Sequence, residues 1–182
     1  GNYSFEKEWA SAIAGSDVNC KDAWEKCTGD PSIIVAVMDE GVMWNHPDLQ
    51  PNMWVNEDET YASKSDNDNN GYSGDRYGYN FATDRGYIAT TGTNDTGHGT
   101  HVAGTIAAVG NNGKGITGIA GGDSAKGQKG VTIISSQMLP DDGGNTNAAV
   151  NAMIQALAAG AVISQNSWGY SFDYNGDGVI SG

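Results

Sequence analysis

The stretch "SIIVAVM", Ser32 to Met38, decides the fold, because after its first residue it is continuously apolar and rich in branched side chains. A strand with one wet face alternates apolar and polar residues, whereas a strand covered on both faces does not. The stretch therefore predicts a central parallel strand. Upstream, "SDVNCKDAWEKCTGD" carries helical spacing through Val18, Ala23, Trp24 and Cys27, with Gly29 suited to the helix end. Downstream, "GVTIISSQML", Gly130 to Leu139, reads as a second interior strand. "TNAAVNAMIQALAAG" then reads as a helix with Thr146 or Asn147 as cap and Gly160 as stop, and "AVISQNSWG" as a further strand. Strand and helix in alternation predict an α/β fold: a mainly parallel central sheet flanked by helices, joined by right-handed crossovers.

Between these elements, residues 44 to 97 hold few apolar runs and many Asn, Asp, Gly and Tyr, which predicts long surface loops with at most short strands. The 182 residues contain no internal repeat and no Pro-rich or Ser-rich linker, so residues 1–182 are expected to form one domain, with 1–21 as an N-terminal extension within it. The closing "DYNGDGVISG" follows a strand without a further closing element. The sheet is accordingly expected to be incomplete on its C-terminal side.

The formal net charge of -13 speaks against a nucleic-acid partner, since phosphate binding needs clustered Lys and Arg. It fits an extracellular protein or one that collects cations. No apolar run approaches the roughly 18 residues of a membrane span. Cys20 and Cys27, if both helical, lie roughly 10 Å apart along the axis, beyond disulfide reach, and are expected as free, partly buried thiols.

Two short motifs carry chemistry. Asp39 follows directly on the buried strand in "VAVMDEGV", and the carboxyl ends of strands in an open α/β sheet are where reactive groups converge. An isolated Asp-x-Gly equally describes a turn cap. In "NDTGHGTHVAGTIAA", Asn94 to Ala108, His98 stands where a helix begins, above Gly99, Ala103, Gly104, Ala107 and Ala108. Those small residues let the helix press against a neighbour and hold the histidine on rigid backbone. The helix dipole disfavours an imidazolium there and a nearby carboxylate favours it. Spacing does not choose between His98 and His101.

Taken together, "VAVMDEGVMWNHPDL" and "HGTHVAGTIAA" resemble, in that order, the aspartate and histidine segments of the subtilisin-like serine proteases (subtilases). The resemblance runs from about Asp22 to Tyr170. It implies that Asp39 orients the imidazole and that His98 takes the proton from a serine nucleophile. It further implies that Ser167, Trp168 and Gly169 of "ISQNSWG" pair with an extended polypeptide substrate by strand addition, Trp168 walling a side-chain pocket. "LPDDGG", with Leu139 and Gly143, resembles the opposite wall of that cleft. Two departures stand out. Glu40 follows Asp39 where the family commonly has Thr or Ser, and strand alternation would point it away from the imidazole. No Gly-Thr-Ser-x-Ala-x-Pro segment, which carries the family's nucleophile, occurs in the 182 residues, so the polypeptide as such is expected not to hydrolyse peptides.

Calcium is the second theme. "DNDNNGYSGD" places Asp66, Asp68 and Asn70 at alternate positions, then a Gly and the Tyr72 carbonyl, as an EF-hand-like loop opens. It has no Glu at the twelfth position, and Asp75 is expected to complete the shell. "DYNGDGVIS" repeats the pattern through Asp173, Asn175 and Asp177. The resemblance implies a third site from Asp48, Asn112 and the carbonyls of Val109, Lys114 and Ile116. Together these features predict a secreted or cell-surface serine endopeptidase that uses calcium. The rival readings are a calcium-dependent peptide- or protein-binding pseudoprotease and, last, a metallohydrolase with Asp39 and His98 as ligands. The open sheet side also predicts self-association of the chain.

Overall fold

The computed structural model describes residues 18–88, 97–139 and 146–169. Its main sheet has four parallel strands in the order β2-β5-β1-β6, where β1 is Ile34–Asp39, β2 Gly78–Asn80, β5 Thr132–Gln137 and β6 Ala161–Asn166. A small antiparallel pair, β3 (Gly122–Asp123) with β4 (Gln128–Lys129), stands apart. The helices are α1 (Cys20–Trp24), α2 (His98–Ala107) and α3 (Thr146–Ala158).

β1 is central, paired with β5 on one side and β6 on the other. Its side chains alternate between two apolar clusters. Val35 and Val37 join Val42, Leu49, Ala103, Ala107 and Ile133 on the α2 face. Ala36 and Met38 join Ile134, Met138, Ala148, Ala152 and Ala156 on the α3 face. Each fully buried valine or methionine contributes about 1.5–3 kcal/mol of transfer free energy, so neither face of the strand tolerates a polar residue. That is why the stretch is apolar without alternation. Both helices meet the sheet mainly through alanine and glycine, which brings their backbones close to it.

Some boundaries differ from the sequence expectation. α1 spans only five residues and buries none of them; the segment is anchored instead by the Trp24 indole N–H donating to the Ile119 carbonyl at 2.7 Å. Cys20 is half-buried and Cys27 exposed, both free thiols, so the burial expected for Cys27 is not found. Thr146 and Asn147 both lie inside α3, so neither caps it. The loops of residues 44–88 are not simply superficial: Asn52, Asn56, Glu59, Asp75 and Asn80 are buried within them. These loops fold around their own carboxylates and amides, which gives them a polar interior that a hydropathy pattern does not register.

β6 is an edge strand in the described residues, with Val162 and Ile163 66% and 49% exposed, and the neighbouring Ile154 and Leu157 of α3 are exposed too. Among the described residues no helix is long and apolar enough to cross a membrane.

Candidate active site

Asp39 ends β1 and is 0% exposed. Its position is fixed from both sides of the strand end: its carbonyl accepts the N–H groups of Met138 and Leu139 at 2.9 and 3.3 Å. Its Oδ1 also accepts the Glu40 N–H at 2.8 Å. The chain then turns at Gly41, whose φ of 112° lies where glycine is favoured. Val42 N–H donates to the buried Ser135 hydroxyl at 3.0 Å, and Met43 N–H to the Thr100 hydroxyl at 2.9 Å, tying the turn to β5 and to α2.

Opposite this turn α2 begins at His98. The approach depends on Gly99: a Cβ there would lie 2.3 Å from the Gly41 carbonyl oxygen and 3.1 Å from Asp39 Oδ1. With no side chain in the way, His98 Nδ1 reaches Asp39 Oδ1 at 2.8 Å and Oδ2 at 3.0 Å. His101, three residues on, is exposed; among the described residues His98 alone of the three histidines forms an ion pair with a carboxylate. The Asp39 hydrogen bond and charge, with the Glu40 charge adding to them, raise the His98 pKa against the opposing effect of burial. The imidazole is half-exposed, at 48% of its side chain, while its partner is sealed. This is an arrangement in which a buried carboxylate holds one nitrogen of a half-exposed, titratable ring.

The described residues expected on the substrate side follow the ends of the two strands that flank β1. Leu139 and Trp168, from the ends of β5 and β6, both pack partly buried against the α3-face cluster. Ser167 accepts a hydrogen bond from the Gln165 amide at 2.9 Å. Among the described residues, a Cβ at Gly169 would meet nothing within 4 Å. Ser167 to Gly169 lie just beyond the last residue of β6. Gly143 lies outside the described residues, as do Asp173, Asn175 and Asp177.

The acidic loop is more elaborate than its sequence motif. Carboxylate oxygens of Glu59, Asp66 and Asp68 lie within 4.8 Å of one another, which fits the oxygen shell of a divalent cation. Glu59 is 2% exposed and is held by the Gly74 N–H at 2.9 Å and by the Asn67 N–H. Asn70 keeps its side-chain oxygen on the Tyr72 N–H at 2.7 Å. Asp75, expected to complete the shell, is not in the trio. It is 0% exposed and accepts from Asn56 at 2.8 Å and from Asn70 and Gln155 at 3.1 Å each. Burial raises its pKa, against those three amide hydrogen bonds and with the Asp68 charge adding to the rise. In the Asp48 loop the structure brings the expected residues together: Asp48 accepts from the Asn112 amide at 2.6 Å and the Ile116 N–H at 3.0 Å, and Val109 N–H donates to the Asp48 carbonyl at 2.9 Å. Lys114 N–H caps the loop on Asn112 Oδ1 at 2.9 Å.

Five residues of these sites escaped the sequence reading, among them Asn56, whose amide donates to Asp68 and Asp75. Glu59 precedes the motif by seven residues with no spacing rule to flag it, and Gln155 comes from a distant helix. Ser135 and Thr100 support the Asp39 turn through hydroxyls inside segments read as strand and helix. Only Glu59 carried a signal, as one more acid in the "NEDET" run just before the loop.

A sequence model of the Subtilase family (Peptidase_S8) matches residues 30–180. Subtilisin-like protease 1 of Plasmodium falciparum is 36% identical over 123 residues, covering 65% of this chain and 17% of that protein. The halolysin-like extracellular serine protease Nep of Natrialba magadii is 32% identical over 149 residues, covering 81% of this chain and 22% of that protein. The crystal structure of a lanthipeptide protease superposes with a TM-score of 0.48 at 24% identity, covering 86% of this chain and 34% of that one. The chain thus spans about a fifth of the length of the curated relatives it matches, and it belongs to the subtilase family.

Proposed function

We propose that these residues are the aspartate and histidine part of a secreted serine endopeptidase whose serine is supplied by sequence outside the 182 residues. The observation that carries the reading is the double contact of the sealed Asp39 carboxylate with His98 Nδ1, at 2.8 and 3.0 Å. Asp39 holds the proton on Nδ1, which makes Nε2 the basic nitrogen toward a serine hydroxyl. As the serine attacks a peptide carbonyl, Nε2 takes its proton and Asp39 stabilises the imidazolium that forms. His98 then returns the proton to the leaving amine. Leu139 and Trp168 flank the substrate side chain, and the backbone of Ser167 to Gly169 pairs with the extended peptide. Secretion rests on the extracellular naming of relatives such as Nep and on calcium use.

Calcium, when bound, supplies positive charge that ties loops together. Glu59, Asp66 and Asp68 would hold it in the acidic loop, with Asn70 and the Tyr72 carbonyl beside them. Asp48 and Asn112, with the carbonyls of Val109, Lys114 and Ile116, form the second proposed position, and Asp173, Asn175 and Asp177 the third. The exposed β6 edge and the adjacent apolar face of α3 would lead the isolated 182-residue chain to self-associate; a monodisperse monomer in light scattering would overturn that part.

The test of the activity is labelling of the full-length protein with a fluorophosphonate that reacts with activated serines. Labelling should be strong in the parent and abolished in His98→Ala. Absence of labelling in the parent would favour instead a calcium-dependent pseudoprotease that grips peptides without cutting them. Persistent labelling in His98→Ala would remove the base role from His98.

A further inference from the structure

A cavity of about 190 Å³ opens between the acidic loop and the C-terminal half of α3. Six residues around it carry side-chain oxygens: Asn56, Asp68, Asn70, Tyr72, Asp75 and Gln155. Two of the residues that line it are short of positive charge or of a donor. Gln155 is 2% exposed, and its Nε2 donates to Asp75 Oδ2 at 3.1 Å, but its Oε1 is buried without a donor among the described residues. A buried carbonyl oxygen left unmatched costs about 1–3 kcal/mol. Among the described residues, the Asp75 carboxylate, with no exposed surface, receives hydrogen bonds only from the neutral amides of Asn56, Asn70 and Gln155. A water would satisfy Gln155 Oε1 yet leave the Asp75 charge uncompensated.

One occupant answers both. We propose that the cavity binds a second divalent cation, with Asp68, Asp75 and Gln155 Oε1 as protein ligands and water completing the shell. Asp68 then serves two neighbouring ions, since it also belongs to the Glu59–Asp66–Asp68 trio. The size agrees: at about 30 Å³ per water, the space admits an ion with several waters rather than a bare one. The ligands are hard oxygens, the set that calcium accepts in flexible geometry. The amides of Asn56 and Asn70 already bridge Asp68 and Asp75, at 2.8 to 3.1 Å, so the two carboxylates are held beside each other before any ion arrives. Because Gln155 comes from α3, this ion would join the loop to the helix that backs the sheet. The inference deepens the calcium reading and relies on it for the identity of the ion.

The experiment is a calorimetric titration of calcium into the calcium-stripped chain, paralleled by terbium luminescence, for which Trp54 at the cavity wall is a sensitiser. Gln155→Met should bind one equivalent fewer than the parent and lose the Trp54-sensitised emission. Glu59→Gln should lose a different equivalent and keep that emission. Gln155→Glu adds a ligand charge, so it should tighten the same equivalent by about tenfold or more. That variant keeps the test open should Gln155→Met fold poorly. Unchanged stoichiometry and affinity in both Gln155 variants, with Glu59→Gln still losing an equivalent, would overturn the second ion alone. No change in any of the three would overturn the calcium reading of this loop as well.

Discussion

Asp39 and Asp75 are both carboxylates with no exposed surface, and the protein answers their charges in opposite ways. Asp39 meets a half-exposed imidazole, a partner that can itself carry a positive charge and pass a proton to solvent. Asp75 meets amides that can do neither. A buried carboxylate is expensive unless its charge is matched. Where the match is a titratable ring, the buried carboxylate favours a proton on that ring. Where the match is neutral, the site calls for a cation from outside.

The largest break in this comparison comes from neutralising the first carboxylate. Asp39→Asn in the full-length protein keeps the size of the side chain but allows the amide to favour the wrong imidazole tautomer, and peptide hydrolysis should fall by about 10⁴-fold. The neutral substitution at the second carboxylate, Asp75→Asn, should leave the hydrolytic rate within a few-fold when calcium is saturating. Steady-state assays of the two variants side by side check this; comparable losses would mean that the two sites are not functionally distinct.

The two carboxylates also differ in how far they could be read from sequence. Asp39 was legible because its signal is local: a buried strand ends, a turn glycine follows, and the histidine segment has its own compact signature. Even so, spacing did not choose between His98 and His101; resemblance did, and the structure places His98 against Asp39. β1 was legible for the same local reason, as one apolar run whose alternate residues serve two clusters. Asp75 was legible only as an acid near a calcium-like loop. Its actual partners lie 5, 19 and 80 residues away, and no periodicity connects them. Glu59 was missed on similar grounds, because a loop's ligands converge through turns that hydrophobic patterning does not encode.

The next effect tests the second site through its neighbourhood. If calcium binds the carboxylate loop, chelation should destabilise the chain by about 2.7 kcal/mol relative to calcium at a hundredfold excess over Kd. For a chain of this size that is a fall in Tm of roughly 5 to 10 °C. Glu59→Gln should shrink the calcium-dependent shift, read by thermal melts with and without chelator. An equal shift in parent and variant would remove Glu59 from the ligand set.

A smaller loss of stability should follow from separating Asp39 from its partner without touching either. Gly99→Ala places a methyl group 2.3 Å from the Gly41 carbonyl oxygen, which α2 can relieve only by moving away from β1. Overpacking of this kind costs about 1–3 kcal/mol, and a displaced α2 lengthens the His98 to Asp39 contact. Denaturant unfolding measures the first effect and the His98 NMR titration the second. Parent-like values in both would show that the close approach is incidental.

The smallest effect is the most specific to the first carboxylate. Asp39 raises the His98 pKa above its ordinary 6.5, so the folded state holds the imidazole proton more tightly than the unfolded chain does. The stability gained is fully present below about pH 6.5 and is lost as pH rises through the higher folded value. Because the ring is half-exposed, solvent screens the interaction and the amplitude should be small. Asp39→Asn should flatten this part of the pH dependence, so the difference between the two curves isolates one pair. The NMR titration of the His98 ring supplies the independent reading. A midpoint at or below 6.5 in the parent would mean that the helix N-terminus, and not Asp39, dominates the charge of this histidine.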